Sequence, residues 1–160
     1  MTAAGPGAAP LEVARRWQDA ASADDVVLVG NLLQAYAMFT DAGLGDDLAG
    51  LFTADATWDG SVLGYGMAAG PDDIADLVLG HHDPARPMVH LPGPPLVVRS
   101  GDDLEVFSWT LATRFVDGAA KPLIFFSYHD VLGRDGASLR FRSRRLDLTF
   151  RPPSQPAQPS

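Results

Sequence analysis

The stretch "KPLIFFSYHDVLGRDGASLRFRSRRLDLTF", residues 121–150, decides the fold. Its first half, "LIFFSYHDVL", begins apolar on both alternating faces, as a strand covered on two sides does, which places it in the middle of a sheet. "GRDGA" is turn chemistry. Beyond the turn, Leu139 and Phe141 fall on odd positions, whereas Leu146, Leu148 and Phe150 fall on even ones. Strand side chains alternate strictly, so an apolar face changes parity only where an extra residue is inserted. A β-bulge is therefore expected within residues 142–145. Counting back from Leu146 puts Arg144 on the inward face, a costly position for a cation unless it meets a carboxylate or a substrate. Tyr128 and Asp130 share one face of the preceding strand.

Working outward, "PPLVVRS" and "DDLEVFSWTLATRFV" are further strands, separated by "GDD" and "DGAAK" turns. In the longer of the two, Phe107, Trp109 and Leu111 alternate with small residues. If the small face lines a pocket, the bulky face is free to build a sheet-mediated homodimer. Upstream of Met88 the pattern is helical. "SADDVVLVGNLLQAYAMFTDAG" opens on Ser22 with Asp25 three residues later, a capping-box signature. Leu28, Leu32, Tyr36 and Phe39, widened by Val29 and Leu33, then form an apolar stripe that ends at Gly43 and Gly45. "GDDLAGLF" reads as a short helix, "ATWDGSVLGYG" as a turn-rich strand or hairpin, and "GPDDIADLVLG" as a helix with Pro71 in its first turn. Helices first and antiparallel strands after them give an α+β fold with the helices on one sheet face. Residues 1–21 and 152–160 read as tails, the extreme ends being rich in Ala, Gly, Pro and Ser, and residues 22–151 as one domain.

The 160 residues suit a single domain, and a hydrophobic fraction of 46% suffices for a core. The net charge of −8, with no basic run to offset it, argues against nucleic acid and anionic membranes as partners. Without cysteine there are no disulfides, thiolate metal sites or cysteine nucleophiles. No apolar run approaches a membrane span, and "MTAAGPGAAPLEVARR" does not have the form of a signal peptide, so a cytoplasmic protein is expected. "GHHDP", residues 80–84, holds three ligand-type side chains, but lacks HxH or HExxH spacing and reads as a solvated helix end. No metal is expected. Neither a nucleotide-binding glycine loop nor a Gly-x-Ser-x-Gly elbow occurs, so no cofactor and no covalent serine mechanism is expected.

In order and spacing, "YAMFTDAGLGDDLAGLFTADATWDG", "GPDDIADLV", the isolated histidine of "MVHL", "SYHD" and "RFRSRRLDL" resemble the SnoaL-like branch of the nuclear transport factor 2-like superfamily. The resemblance spans residues 26–150. It implies a cone: a curved antiparallel sheet wrapped by about three N-terminal helices around a deep apolar pocket, commonly in homodimers. Superfamily members such as scytalone dehydratase, bile acid dehydratase and hexachlorocyclohexane dehydrochlorinase use an Asp–His pair. Asp41, eleven residues before Phe52, matches the aspartate, and His90 matches the histidine. Arg144 is the nearest match to a last-strand arginine of the dehydrochlorinase, and Trp58 to its pocket tryptophan. The lysine that precedes the aspartate in that enzyme has no counterpart here.

Taken alone, His90 reads as a core histidine, and Asp41 sits at a helix C-terminus, where the dipole disfavours negative charge. The resemblance makes them a general-base dyad, with Arg144 assisting or, alternatively, paired internally with Asp130 or Asp41. Tyr36, Phe39, Trp58, Met88, Tyr128 and Asp130 become the substrate-binding set. A cofactor-independent dehydratase-like lyase acting on a small apolar, cyclic substrate is the first reading, with an isomerase or cyclase next. A non-catalytic ligand-binding domain that retains only the pocket is the alternative. A scaffold that binds through its sheet face is a third.

Overall fold

The computed structural model describes residues 13–117, 119–136 and 138–148. Among the described residues, the helices α1 (Ala23–Ala42), α2 (Gly45–Ala49) and α3 (Pro71–Leu79) accompany seven strands, and residues 13–15 are also helical. The strands are β1 (Phe52–Asp59), β2 (Met67–Ala69), β3 (Met88–Pro92), β4 (Leu96–Ser100), β5 (Asp103–Val116), β6 (Ala119–Asp135) and β7 (Ser138–Asp147). The strands form one sheet in the order β2-β1-β7-β6-β5-β3, with β4 also pairing β5. β6 lies in its middle, as its doubly apolar start requires. The sheet stays open, ending at β2 and β3. It is not wholly antiparallel, because β1 runs parallel to β7. More than seventy residues separate those two strands, so the long return that a parallel pair needs is available. "ATWDGSVLGYG" forms the β1–β2 hairpin, which turns through a short 3-10 segment at Ser61–Leu63.

The bulge falls where the apolar parity changes. Val131 pairs with Ser143 and Leu132 with Phe141, leaving Arg142 as the extra residue. Leu139 and Phe141 before it, and Arg144 and Leu146 after it, are all buried. Arg142 turns outward to bond Asp103 at 3.1 Å.

Ser22 caps α1 by accepting from the Asp25 N–H at 3.1 Å, and Gly43 closes it in the left-handed region at φ 69°. A residue with a Cβ is disfavoured in that conformation. The buried face of α1 runs through Val29, Leu32, Leu33, Tyr36 and Ala37, whereas Leu28 is exposed. The stripe is thus centred one position from where simple i, i+4 counting from Leu28 puts it. Asp25 is buried against Arg99 and Arg134, which tether the helix start to β4 and β6.

Residues 13–21, expected as part of a tail, are packed instead. Val13 is buried with Val98 and Phe107, Arg16 bonds Glu105 at 2.5 Å, and the Ala21 N–H donates to the Val97 carbonyl. One apolar anchor and one ion pair therefore hold a segment whose composition gives no amphipathic pattern. Residues 1–12 and 152–160, also read as tail, lie outside the described residues, as do residues 149–151 at the end of the expected domain.

Candidate active site

Asp41 sits in the last turn of α1, and His90 lies on β3 facing the inside of the sheet, paired with Ala112 of β5. The packing of α1 on β3 brings the two together. Asp41 Oδ1 lies 2.5 Å from His90 Nδ1, and Asp41 Oδ2 accepts the His90 backbone N–H at 2.8 Å. One carboxylate therefore fixes both the main chain and the ring of a single histidine. With Nδ1 held by an acceptor, Nδ1 carries the proton and Nε2 the lone pair. Nε2 has no partner among the described residues. The unfavourable dipole position of Asp41 is thus compensated by two hydrogen bonds. The Asp41 carbonyl also receives His82 Nε2 at 3.2 Å, and His82 packs beneath Gly43 so closely that a Cβ there would lie 2.9 Å from its ring.

His90 opens onto a cavity of about 330 Å³, at the small end of the range for small-molecule sites. Tyr36, Trp58, Met88 and Tyr128, all expected in the pocket, line it alongside Val78, Ile124, Phe126 and Leu146. Trp58 Nε1 donates to the Tyr36 hydroxyl at 3.1 Å, and the Tyr36 and Tyr128 rings meet edge to face with centres 6.0 Å apart. Burial pushes both phenols above their ordinary value, which keeps them neutral hydrogen-bonding groups. Gly60 is required here, since a Cβ would fall 2.2 Å from the Trp58 ring. Asp41 itself stands behind His90, in a small adjoining recess rather than in the main cavity wall.

Three expected site residues lie elsewhere. Phe39 is partly buried against the core and is not among the cavity-lining residues. Arg144 and Asp130 are buried as a pair at 2.9 Å behind the tyrosines, not in the cavity wall. The Arg144 guanidinium carbon lies 3.5 Å from the centre of the Tyr128 ring and 4.1 Å from that of Tyr36. With the Phe141 ring centre also at 4.7 Å, the inward cation of the last strand has thus met a carboxylate and three π faces, the internal-pairing alternative left open by the sequence. Burial pushes the Asp130 carboxyl up to about 7 against the pull of Arg144.

Thr40 and Tyr65 also line the cavity and were not singled out in the sequence. His81, read there as part of a solvated helix end, lines it as well, its ring tilted against Tyr65 with centres 4.5 Å apart. Arg114 also lines it, reached by the alternation of β5 from Ala112. That periodicity was available in "WTLATRFV" once the pocket face was known.

The fold has solved counterparts. Aln2 from a Streptomyces species superposes with a TM-score of 0.70 at 20% identity, over 80% of this chain and 93% of that one. ActVI-ORFA from Streptomyces coelicolor gives 0.67 at 21% identity, over 75% and 94%. An NTF2-like protein with a cystatin-like fold from Novosphingobium aromaticivorans gives 0.63 at 20%, over 87% and 85%. A comparison with curated proteins finds no match. The SnoaL-like domain family matches residues 21–145, a span that holds α1 to α3, every described cavity-lining residue except Leu146, and both members of the Asp41–His90 pair. The chain belongs to the SnoaL-like domain family, within the nuclear transport factor 2-like fold.

Proposed function

We propose that this protein is a cofactor-independent acid–base enzyme in which His90 takes a proton from a small, largely apolar substrate held in the cavity. The observation that carries the reading is the 2.5 Å Asp41–His90 contact beside an apolar, aromatic-walled cavity. Asp41 orients the ring and stabilises the imidazolium that forms, while Nε2 is the base. Elimination is the first reaction in order of support, because the pair matches the eliminating relatives. His90 abstracts a proton from carbon, the C–H electron pair becomes the double bond, and the leaving oxygen departs. The imidazolium then returns its proton to that oxygen, giving water and restoring the base. The Tyr36–Tyr128 hydroxyl pair offers a hydrogen bond to the departing oxygen. Arg144, held on Asp130 away from the cavity wall, acts by supporting these tyrosines instead of touching substrate. Isomerisation and ring closure use the same proton transfer.

The test is a panel of hydroxylated polyketide-, terpenoid- and steroid-like compounds incubated with the protein and followed by mass spectrometry. The account expects at least one compound to lose water, isomerise or cyclise with the unmodified protein and not with His90→Ala. Binding without conversion anywhere in the panel would instead favour a ligand-binding domain.

A further inference from the structure

Arg114 distinguishes this cavity from a purely apolar one. Among the described residues the lining includes no aspartate or glutamate, and Arg114 is the one permanent charge there. Most of the other described arginines meet a carboxylate, as Arg16, Arg86, Arg99, Arg134, Arg140, Arg142 and Arg144 do. Arg114 meets none among the described residues, and its Nε is buried with no hydrogen-bond partner. The two carboxylates nearest in the adjoining recess are already engaged, Asp41 by His90 and Asp83 by Arg86. In a chain of net charge −8, a half-buried cation left without an anion calls for one from outside. Its place is also specific. Arg114 pairs with Met88 across β3 and β5, one inward-facing step along from the Ala112–His90 pair. It lines both the cavity and the recess that reaches Asp41.

We infer that Arg114 anchors a carboxylate on the substrate, so that the cavity takes a small cyclic acid: an apolar body against Trp58, Phe126 and Tyr128, with its carboxylate on the guanidinium next to His90. A single guanidinium fork matches a planar carboxylate bidentately, and one cation balances its single negative charge. The inference rests on the proposed function only in taking this cavity as the substrate site; it does not require His90 to be a base.

The probes are 1-naphthoate and its neutral counterpart 1-naphthamide, titrated calorimetrically into the full chain at neutral pH and moderate salt. Unmodified protein is expected to bind the carboxylate at least about tenfold more tightly than the amide. Arg114→Met should abolish that preference and bind both compounds alike, and Arg114→Gln provides the same comparison if the Met variant does not fold. Arg142→Ala, which removes a cation paired with Asp103 outside the cavity, should retain the preference. Because no partner is lost, Arg114→Met should also melt no lower than the unmodified protein. Equal affinities for the two probes in the unmodified protein, no saturable binding of naphthoate, or a preference that survives in Arg114→Met would each overturn the inference. A carboxylate preference lost with Arg114, found alongside unimpaired turnover by His90→Ala, would sink the general-base reading and leave this one standing.

Discussion

Replacing Arg144 by Met tests whether the last-strand arginine is part of the scaffold. Its side chain is 2% exposed and that of its partner Asp130 0%, with 2.9 Å between them. Removing one member of a buried pair leaves the other uncompensated and costs about 3–5 kcal/mol. Set against a total stability of about 5–15 kcal/mol, that is a large fraction. For a chain of this length each kcal/mol moves Tm by about 2–4 °C, so Arg144→Met should lower Tm by about 6–20 °C. The loss should depend on pH with a definite sign. The folded-state value of Asp130 lies near 7, above the ordinary 3.8, so the fold favours the protonated carboxyl. Stability attached to Asp130 is therefore fully present below about 3.8 and lost as pH rises through about 7. Taking away the attraction of Arg144 raises that value further, so the variant should be worse at pH 8 than at pH 5. The double change Arg144→Met with Asp130→Leu replaces the pair by apolar volume and should recover most of the loss. Thermal and urea melts of the two single variants and the double variant at both pH values form the assay. A drop in Tm below about 3 °C, or an equal drop at pH 5 and pH 8, would refute the reasoning.

Ser22→Ala should cost about 1 kcal/mol at neutral pH through loss of the α1 cap. Hydrogen bonding from Ser22, aided by Arg134 and Arg99, holds Asp25 below its ordinary value, so the carboxylate part of this stability is present above about 3.8 and lost as pH falls further; the gap in melting temperature between variant and parent should narrow toward pH 3 and keep the part that comes from the non-titrating bond to the Asp25 N–H. Gly43→Ala places a Cβ at a left-handed position against His82 and should cost about 1–2 kcal/mol, read as a lower urea midpoint. The outer sheet face exposes Leu91 and Phe125, with Phe125 stacked on Trp109 at 5.1 Å; the proposed homodimer would cover it, so sedimentation should give a dimer at micromolar concentration and a monomer for Phe125→Glu.

The fold was legible because alternation and turn chemistry are local. The parity change between Phe141 and Leu146 placed the bulge within residues 142–145 before any neighbour strand was known, and it falls at Arg142. The parallel β1–β7 pairing was not legible, since nothing in "FTADATWD" records which distant strand it will meet or in what direction. Nor was the packing of Val13 under β4 and β5, which depends on a single side chain and one long-range ion pair. Within the candidate site, the Asp41–His90 contact was suggested by resemblance, while the residues alone made His90 an ordinary core histidine. Arg144 shows the limit of facing arguments. Alternation aims it inward correctly, but whether the inward space is cavity or core depends on which side chains intervene, here Tyr36 and Tyr128. Arg114 lay on the same kind of alternation and carried no motif, so nothing singled it out until the cavity was seen.

The most direct measurement of the central claim is the turnover of Asp41→Asn on a substrate that the unmodified protein converts. The asparagine oxygen can still accept the His90 backbone N–H, so the strand stays in place. Its amide, however, donates to Nδ1 and leaves Nε2 carrying the proton on the ring that lines the cavity. A base so blocked should lose about 10²- to 10⁴-fold in kcat, with substrate affinity within about threefold of the parent. Turnover at the unmodified rate would contradict the account.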